Sequence, residues 1–179
     1  VVKAMSGNLT IVMPADIEND IFEEVVNPEL NYIFGSAQYV KDKLDEYSKI
    51  PSTSGRKFPL VALFCPVTEK RDSSRYYSKV SLNILIACSS TKNWSNERRL
   101  LASFINILRP IYERLIEVIR NDGRFDIEYD SIIPHDYSEN YSYGRYGAYT
   151  ESGEEVSEPI DAINIRSMEL KINIEYCRS

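Results

Sequence analysis

Two strand patterns follow one another in this chain with no helical pattern between them, and this constrains the fold more than any other feature. The first, FPLVALFC (Phe58 to Cys65), is a near-continuous apolar run of strand length. Such a run marks a central strand covered on both faces. Pro59 must then sit near the start of the strand, or where no ladder donor is needed. The second, Tyr76 to Cys88, begins as an alternation, with Val80, Leu82, Ile84 and Ile86 set against Lys79, Ser81 and Asn83. Period two places that apolar set on one face. Leu85 and Ala87 break the alternation, so the far end is expected to be covered on both sides. The charged segment between the patterns, Val67 to Ser74, reads as a turn. Strand following strand argues against a parallel α/β sheet. It predicts an α+β fold: an antiparallel sheet with a long helix and a shorter helix packed on one face.

The rest of the chain fills in around that frame. Leu9 to Met13 reads as a strand or an extended arm, and Asp16 to Val26 as a short helix closed by Asn27-Pro28. Leu30 to Phe34 is expected to be extended. Ser36 is the natural N-cap of a helix to about Lys49, with Ala37, Val40, Leu44 and Tyr47 at helical spacing. The longest element is a helix from about Ser95 to Asn121. Leu101, Phe104, Ile105, Leu108, Tyr112, Leu115 and Val118 or Ile119 trace its apolar face. Pro110 lies inside it and predicts a kink, or a break into two helices. Gly123 is a fair stop.

Phe125, Ile127 and Tyr129 alternate with Asp126 and Glu128, which is a strand signature, and Ile132 to Tyr143 extends it or pairs back. In the last pattern, Ile160 to Tyr176, the apolar set changes parity. Ile163 and Ile165 are odd, whereas Met168, Leu170, Ile172 and Ile174 are even. A one-residue bulge near Arg166-Ser167 would restore one buried face. The 179 residues read as one domain, with an extended N-terminal arm over residues 1–15 and a long loop or hairpin over about 143–159.

Composition narrows the function classes. A net charge of −6 and a pI near 5.0 argue against a surface that captures nucleic acid electrostatically. Three widely spaced cysteines do not make a disulfide framework; Cys65 and Cys88, in apolar runs, are expected to be buried thiols in a reducing compartment. No apolar run approaches the roughly 18 residues of a membrane-spanning helix. The single histidine, His135, has no GxSxG elbow or catalytic cysteine context around it. CxxC, HExxH and Gly-rich phosphate motifs are missing, so no metal or cofactor is expected.

One stretch does ask for a function. His135 to Tyr149, HDYSENYSYGRYGAY, holds five of the thirteen tyrosines. Tyrosine offers large area, a polar tip and little entropy to lose, which suits protein interfaces. Tyr137, Tyr141 and Tyr143 share one parity, so one strand face is expected to carry all three. With Arg145, Tyr146 and Tyr149 they form the candidate contact surface. The alternative is a small-ligand or carbohydrate-binding module whose pocket is lined by Tyr141, Tyr143 and Tyr146.

Taken in order, NYIFGSAQYVKDKL, FPLVALFCPVTE, RYYSKVSLNILIA, NERRLLASFINILRPIYERLIEVI and IDAINIRSMELKI resemble the tail-terminator and head–tail joining proteins of tailed bacteriophages. The similarity spans about Leu30 to Ile174 and lies in element order, a Pro-led apolar strand and a helix carrying RPIYE. It implies a non-enzymatic virion protein, assembled in the host bacterial cytoplasm. Its subunits would form a homo-oligomeric ring, commonly hexameric, that caps the tail tube and joins it to the neck of the capsid. The implied partners are further copies of the chain, the tail-tube protein and neck or connector proteins, with no membrane. Genomic DNA would pass through the ring without sequence-specific binding, which an acidic chain permits.

Overall fold

The computed structural model describes residues 1–16, 20–49, 57–71, 76–128, 132–146 and 158–173. Its elements, in chain order, are α1 (Val2–Met5), β1 (Thr10–Asp16), β2 (Ile21–Val26), β3 (Asn31–Gly35), α2 (Ala37–Lys49), β4 (Leu60–Lys70) and β5 (Tyr77–Ser89). The long helix α3 follows without a break as Asn96–Arg99, Leu100–Leu108 and Arg109–Arg120, and β6 (Asp136–Tyr146) and β7 (Glu158–Asn173) complete the chain. The fold is α+β. Five strands form one sheet in the order β3-β4-β5-β7-β6, and β1 and β2 form a separate hairpin. Every neighbouring pair is antiparallel except β3 and β4, which run parallel because α2 carries the chain between them.

The two helices cover opposite faces of the sheet, not one face as the sequence predicts. Val61, Ile84, Ile86, Ile163 and Ile165 pack with Phe104, Leu108, Leu115 and Ile119 of α3. Leu60, Ala62, Leu85, Ala87 and Ala162 pack with Val40 and Leu44 of α2. Consecutive residues of β4, β5 and β7 therefore serve two different cores. This is the physical content of the unbroken apolar runs in β4 and at the end of β5.

The N-terminal residues are not an extended arm. Met5, Leu9 and Ile11 are buried against α3, in the same core as Phe104 and Ile107. Residues 21–26 form a strand and not the helix expected over Asp16 to Val26. The antiparallel register Thr10↔Val26 to Asp16↔Ile21 supplies ladder bonds that local propensity does not count. Arg98 at the start of α3 holds this hairpin in place. It pairs with Asp20, which stands at φ 61°, and its guanidinium lies 4.8 Å from the Phe22 ring centroid.

Two sequence expectations on turns give way. Val67–Lys70 continues β4 rather than turning, and Pro66 falls in the gap where β4 loses register with β5 between Phe64 and Thr68. Phe125 makes a single bridge to Ile172 and starts no strand, while Tyr129 lies outside the described residues. The bulge in the last strand is where parity requires it. Leu82 faces Met168 and Ile84 faces Ile165, so Arg166 and Ser167 together oppose Asn83. Ser167 stands at φ 52°, and its amide donates to Asn83 Oδ1 at 3.1 Å.

Neither a break nor a loss of helix occurs at Pro110. From Leu100 to Leu108 the helix widens to π geometry, and the Arg109 amide donates five residues back to the Phe104 carbonyl. Pro110 then enters as the second residue of the final α-helical stretch. Its missing donor falls at the junction between two bonding patterns. Widening also rotates the buried face. Ala102, Ser103, Phe104, Ile107 and Leu108 are buried, whereas Leu101 and Ile105, which straight α-helical spacing places in the core, are exposed. In chemical denaturation, Ile107→Ala should cost about 2–5 kcal/mol. Ile105→Ala should stay within about 0.5 kcal/mol of wild type. A regular α-helix through this stretch would reverse or equalise the two.

Candidate functional surface

The surface is built where β6 crosses the flank of α3. β6 is an edge strand: among the described residues no strand pairs with its outer side. Tyr137 faces Ile165 and Glu139 faces Ile163, which puts both on the side of the sheet that α3 covers. There the Tyr137 ring packs edge-on to Tyr112 at 4.8 Å, and Tyr141 packs on Phe104 at 4.6 Å. Arg109 makes two bonds to Glu139, at 2.7 and 3.0 Å, and the Tyr137 hydroxyl donates to the same carboxylate at 2.6 Å.

This cluster shifts its own titrations. The two Arg109 bonds hold the Glu139 carboxyl below its ordinary range, more strongly than partial burial raises it. Burial, then the bond to Glu139, pushes the Tyr137 hydroxyl well above the usual phenol value. His135 is engaged on both nitrogens: Nε2 meets the Tyr112 hydroxyl at 2.9 Å and Nδ1 the Ile133 carbonyl at 2.7 Å. With its ring held this way, His135 orients Tyr112 and the strand entry.

The expected common face of Tyr137, Tyr141 and Tyr143 is split. β6 loses register with β7 between Asn140 and Gly144, and Ser142 stands there at φ 49°. Tyr141, Ser142 and Tyr143 together oppose Asp161, two residues more than the ladder needs, and Tyr143 comes to the other side of the sheet, where it lines a small cavity with Val40, Leu44 and Ile160. The rings are only partly consumed by these contacts: Tyr137, Tyr141 and Tyr143 keep 41%, 38% and 45% of their surface exposed. Arg145 and Tyr146 belong to β6, whose pairing with β7 runs out to Tyr146↔Glu158; residues 147–157, the rest of the loop or hairpin expected over about 143–159, lie outside the described residues. Their side chains, and Tyr149 entirely, lie outside the described residues.

What sets the bulge is a buried ionic knot that sequence reading did not find. Asp161 of β7 is fully buried and Arg99 nearly so, with side-chain exposures of 0% and 7%. Arg99 Nη1 bonds Asp161 Oδ1 at 2.9 Å and Ser142 Oγ at 2.7 Å, and Nη2 bonds the Thr91 carbonyl at 3.1 Å. The Ser103 hydroxyl donates to Asp161 Oδ2 at 2.8 Å, and the Ser142 amide donates to Oδ1 at 2.9 Å. The only sequence signal was Arg98-Arg99 at a helix start, which reads as a solvated pair. Nearby Cys88 is buried as expected, its thiol pushed up to about 12 mainly by burial. Cys65, on the open end of β4, is exposed and not buried.

The cavities sit elsewhere or are small. The one beside Tyr143 holds about 170 Å³, below the roughly 300–1,000 Å³ of ordinary ligand pockets. Tyr141 does not line it. A larger cavity of about 490 Å³ lies between the sheet and α3 under Val1 and Val2, away from the tyrosine stretch. Among the described residues, Lys3 and Tyr32 are the only polar side chains that line it. No group of three or more potential metal ligands occurs among the described residues, and none of their helices is long and apolar enough to cross a membrane. A comparison with protein-family models gives no match, and neither does one with curated proteins.

Two outcomes test this geometry. Asp161→Ala strands the buried Arg99 charge and should cost about 3–5 kcal/mol, whereas the double change Arg99→Leu with Asp161→Leu should cost clearly less than the sum of the single changes. Denaturation midpoints of both sets decide it. For Glu139 the folded-state value lies below the unfolded one, near 4.3, so its stabilisation is present above that pH and lost as pH falls. Between about pH 5 and pH 3 the wild type should therefore lose more stability than Glu139→Gln. Equal losses would show that the Arg109 pair contributes nothing.

Proposed function

We propose that the chain is a structural subunit of a phage-type tail-terminator or head–tail joining ring, working through protein contacts and not catalysis. The observation that carries this reading is the aromatic rim of β6. Tyr137 and Tyr141 are pinned from below by Tyr112 and Phe104 yet keep more than a third of their surface open. Rings fixed in position lose little entropy when a partner covers them, and half-exposed tyrosines are favoured at the centres of protein interfaces. Leu101 and Ile105 on α3 add exposed apolar surface on the helix that carries Phe104, Arg109 and Tyr112.

The order of elements supports the same reading. β3, α2, the Pro-led β4, an antiparallel β5, the long α3 and the closing strands follow the sequence of parts on which the resemblance to that family rests. A net charge of −6 suits a ring whose opening must let DNA phosphates pass without gripping them. The ligand-binding alternative draws less from the geometry, because Tyr141 and Tyr143 do not share a cavity.

Native mass spectrometry over a concentration series, with and without a phage tail-tube protein, tests the proposal. A discrete ring mass, alone or on mixing, is the expected result. Tyr137→Ala and Tyr141→Ala should weaken it by at least tenfold in concentration. A monomer under every condition, with no tail or neck component bound, would sink the idea.

A further inference from the structure

The two outer strands of the five-stranded sheet are unlike each other. Among the described residues no strand pairs with the outer side of β3 or of β6. Free edges invite pairing, and proteins that stay apart blunt theirs with lysine, proline or inward charges. β3, with the sequence NYIFG, carries none of these, and its Tyr32 and Phe34 are 47% and 52% exposed. We infer that β3 of one copy pairs with the first half of β6 of the next, so that the sheet continues from subunit to subunit.

Four features of the two edges fit each other. Length matches: β3 has five residues, and the Ser142 bulge leaves Asp136 to Asn140 as the regular half of β6, also five. Direction matches. β3 and β4 run together, and each of the next three pairings reverses direction, so β6 runs opposite to β3. A rotation about an axis along the strands keeps those directions, so the junction is antiparallel.

Side-chain facing matches as well. With Ile33 opposite Ser138, Phe34 meets Tyr137 and Tyr32 meets Glu139. All four lie on the face that α3 covers, because Tyr32 and Phe34 pair with Val61 and Leu63 while Tyr137 and Glu139 pair with Ile165 and Ile163. An aromatic pair across the junction is the kind that stabilises neighbouring strands. Charge matches too. The same register sets Asp136, which is exposed, against Gly35, two residues before the start of α2. The first turn of α2 holds no acidic residue of its own, so a partner's carboxylate there meets the positive end of the helix.

A contact between two different edges is heterologous. It propagates head to tail and closes into a ring when the rotation allows. The inference rests on the proposed ring-subunit reading for closure, but not for the junction itself.

Complementation tests it on the full chain. Phe34→Lys damages only the β3 edge, and Asp136→Lys with Ser138→Lys damages only the β6 edge; all three positions are exposed, and circular dichroism checks that each variant folds. Each variant alone should be monomeric in sedimentation at concentrations where wild type assembles. An equimolar mixture should form a dimer and nothing larger, because one intact β6 meets one intact β3. Wild-type rings that both variants still form would overturn the edge junction while leaving the ring reading intact. A dimer of either variant with itself would show like-with-like contact and overturn it also. A wild type that stays monomeric even with tail-tube protein would overturn the ring reading and the junction together.

Discussion

The Asp161 carboxylate is wholly buried where α3, β6 and β7 meet, and a charge in that position must be answered or the fold fails. Arg99, Ser103 and the Ser142 amide answer it, one from each side. Each partner is thereby fixed. Arg99 sets where α3 begins over the sheet, Ser103 sets the rotation of its first turns, and Ser142 is held in a left-handed conformation that a serine adopts only at a cost. Removing one member leaves the others buried and unpaired, so the knot specifies geometry more than it adds net stability.

The bulge that follows from this knot divides β6 in two. Before it, the strand is regular and presents Tyr137 over α3; beyond it, Tyr143 lies over α2. One stretch of tyrosines thus serves two faces of the sheet. The regular half is also the part whose outer edge is open and whose aromatic rings are anchored from below. Rigidity and exposure together are what an interface strand needs, since little freedom remains to be lost on contact.

A second constraint acts inside α3. A proline in the middle of a 25-residue helix removes a donor and crowds the preceding turn. The chain meets it by widening the helix from Leu100 to Leu108. The widening moves Ile107 into the core and leaves Leu101 and Ile105 outside. Two apolar side chains are thereby left on the exposed surface of the helix that β6 crosses. The same nine residues thus set both the backbone adjustment and which apolar side chains of α3 face solvent.

The sequence by itself determined the strands β3, β4, β5 and β7, the capped helix α2, the extent of α3 and the bulge at Arg166-Ser167. All of these are periodicity effects, set by which side chains must avoid water along one element. The α+β class was legible for the same reason. Only the tertiary structure decided what depends on partners distant in sequence. The hairpin of β1 with β2 overrides helical propensity through ladder bonds, and α2 takes the opposite face because Leu60 and Ala62 of β4 and Leu85 and Ala87 of β5 present a second apolar surface there. The Arg99–Asp161 pair joins residues 62 positions apart. That pair turns Tyr143 away from Tyr137 and Tyr141, because a buried charge dictates the backbone around it and a pattern of single residues carries no record of which charge will be buried.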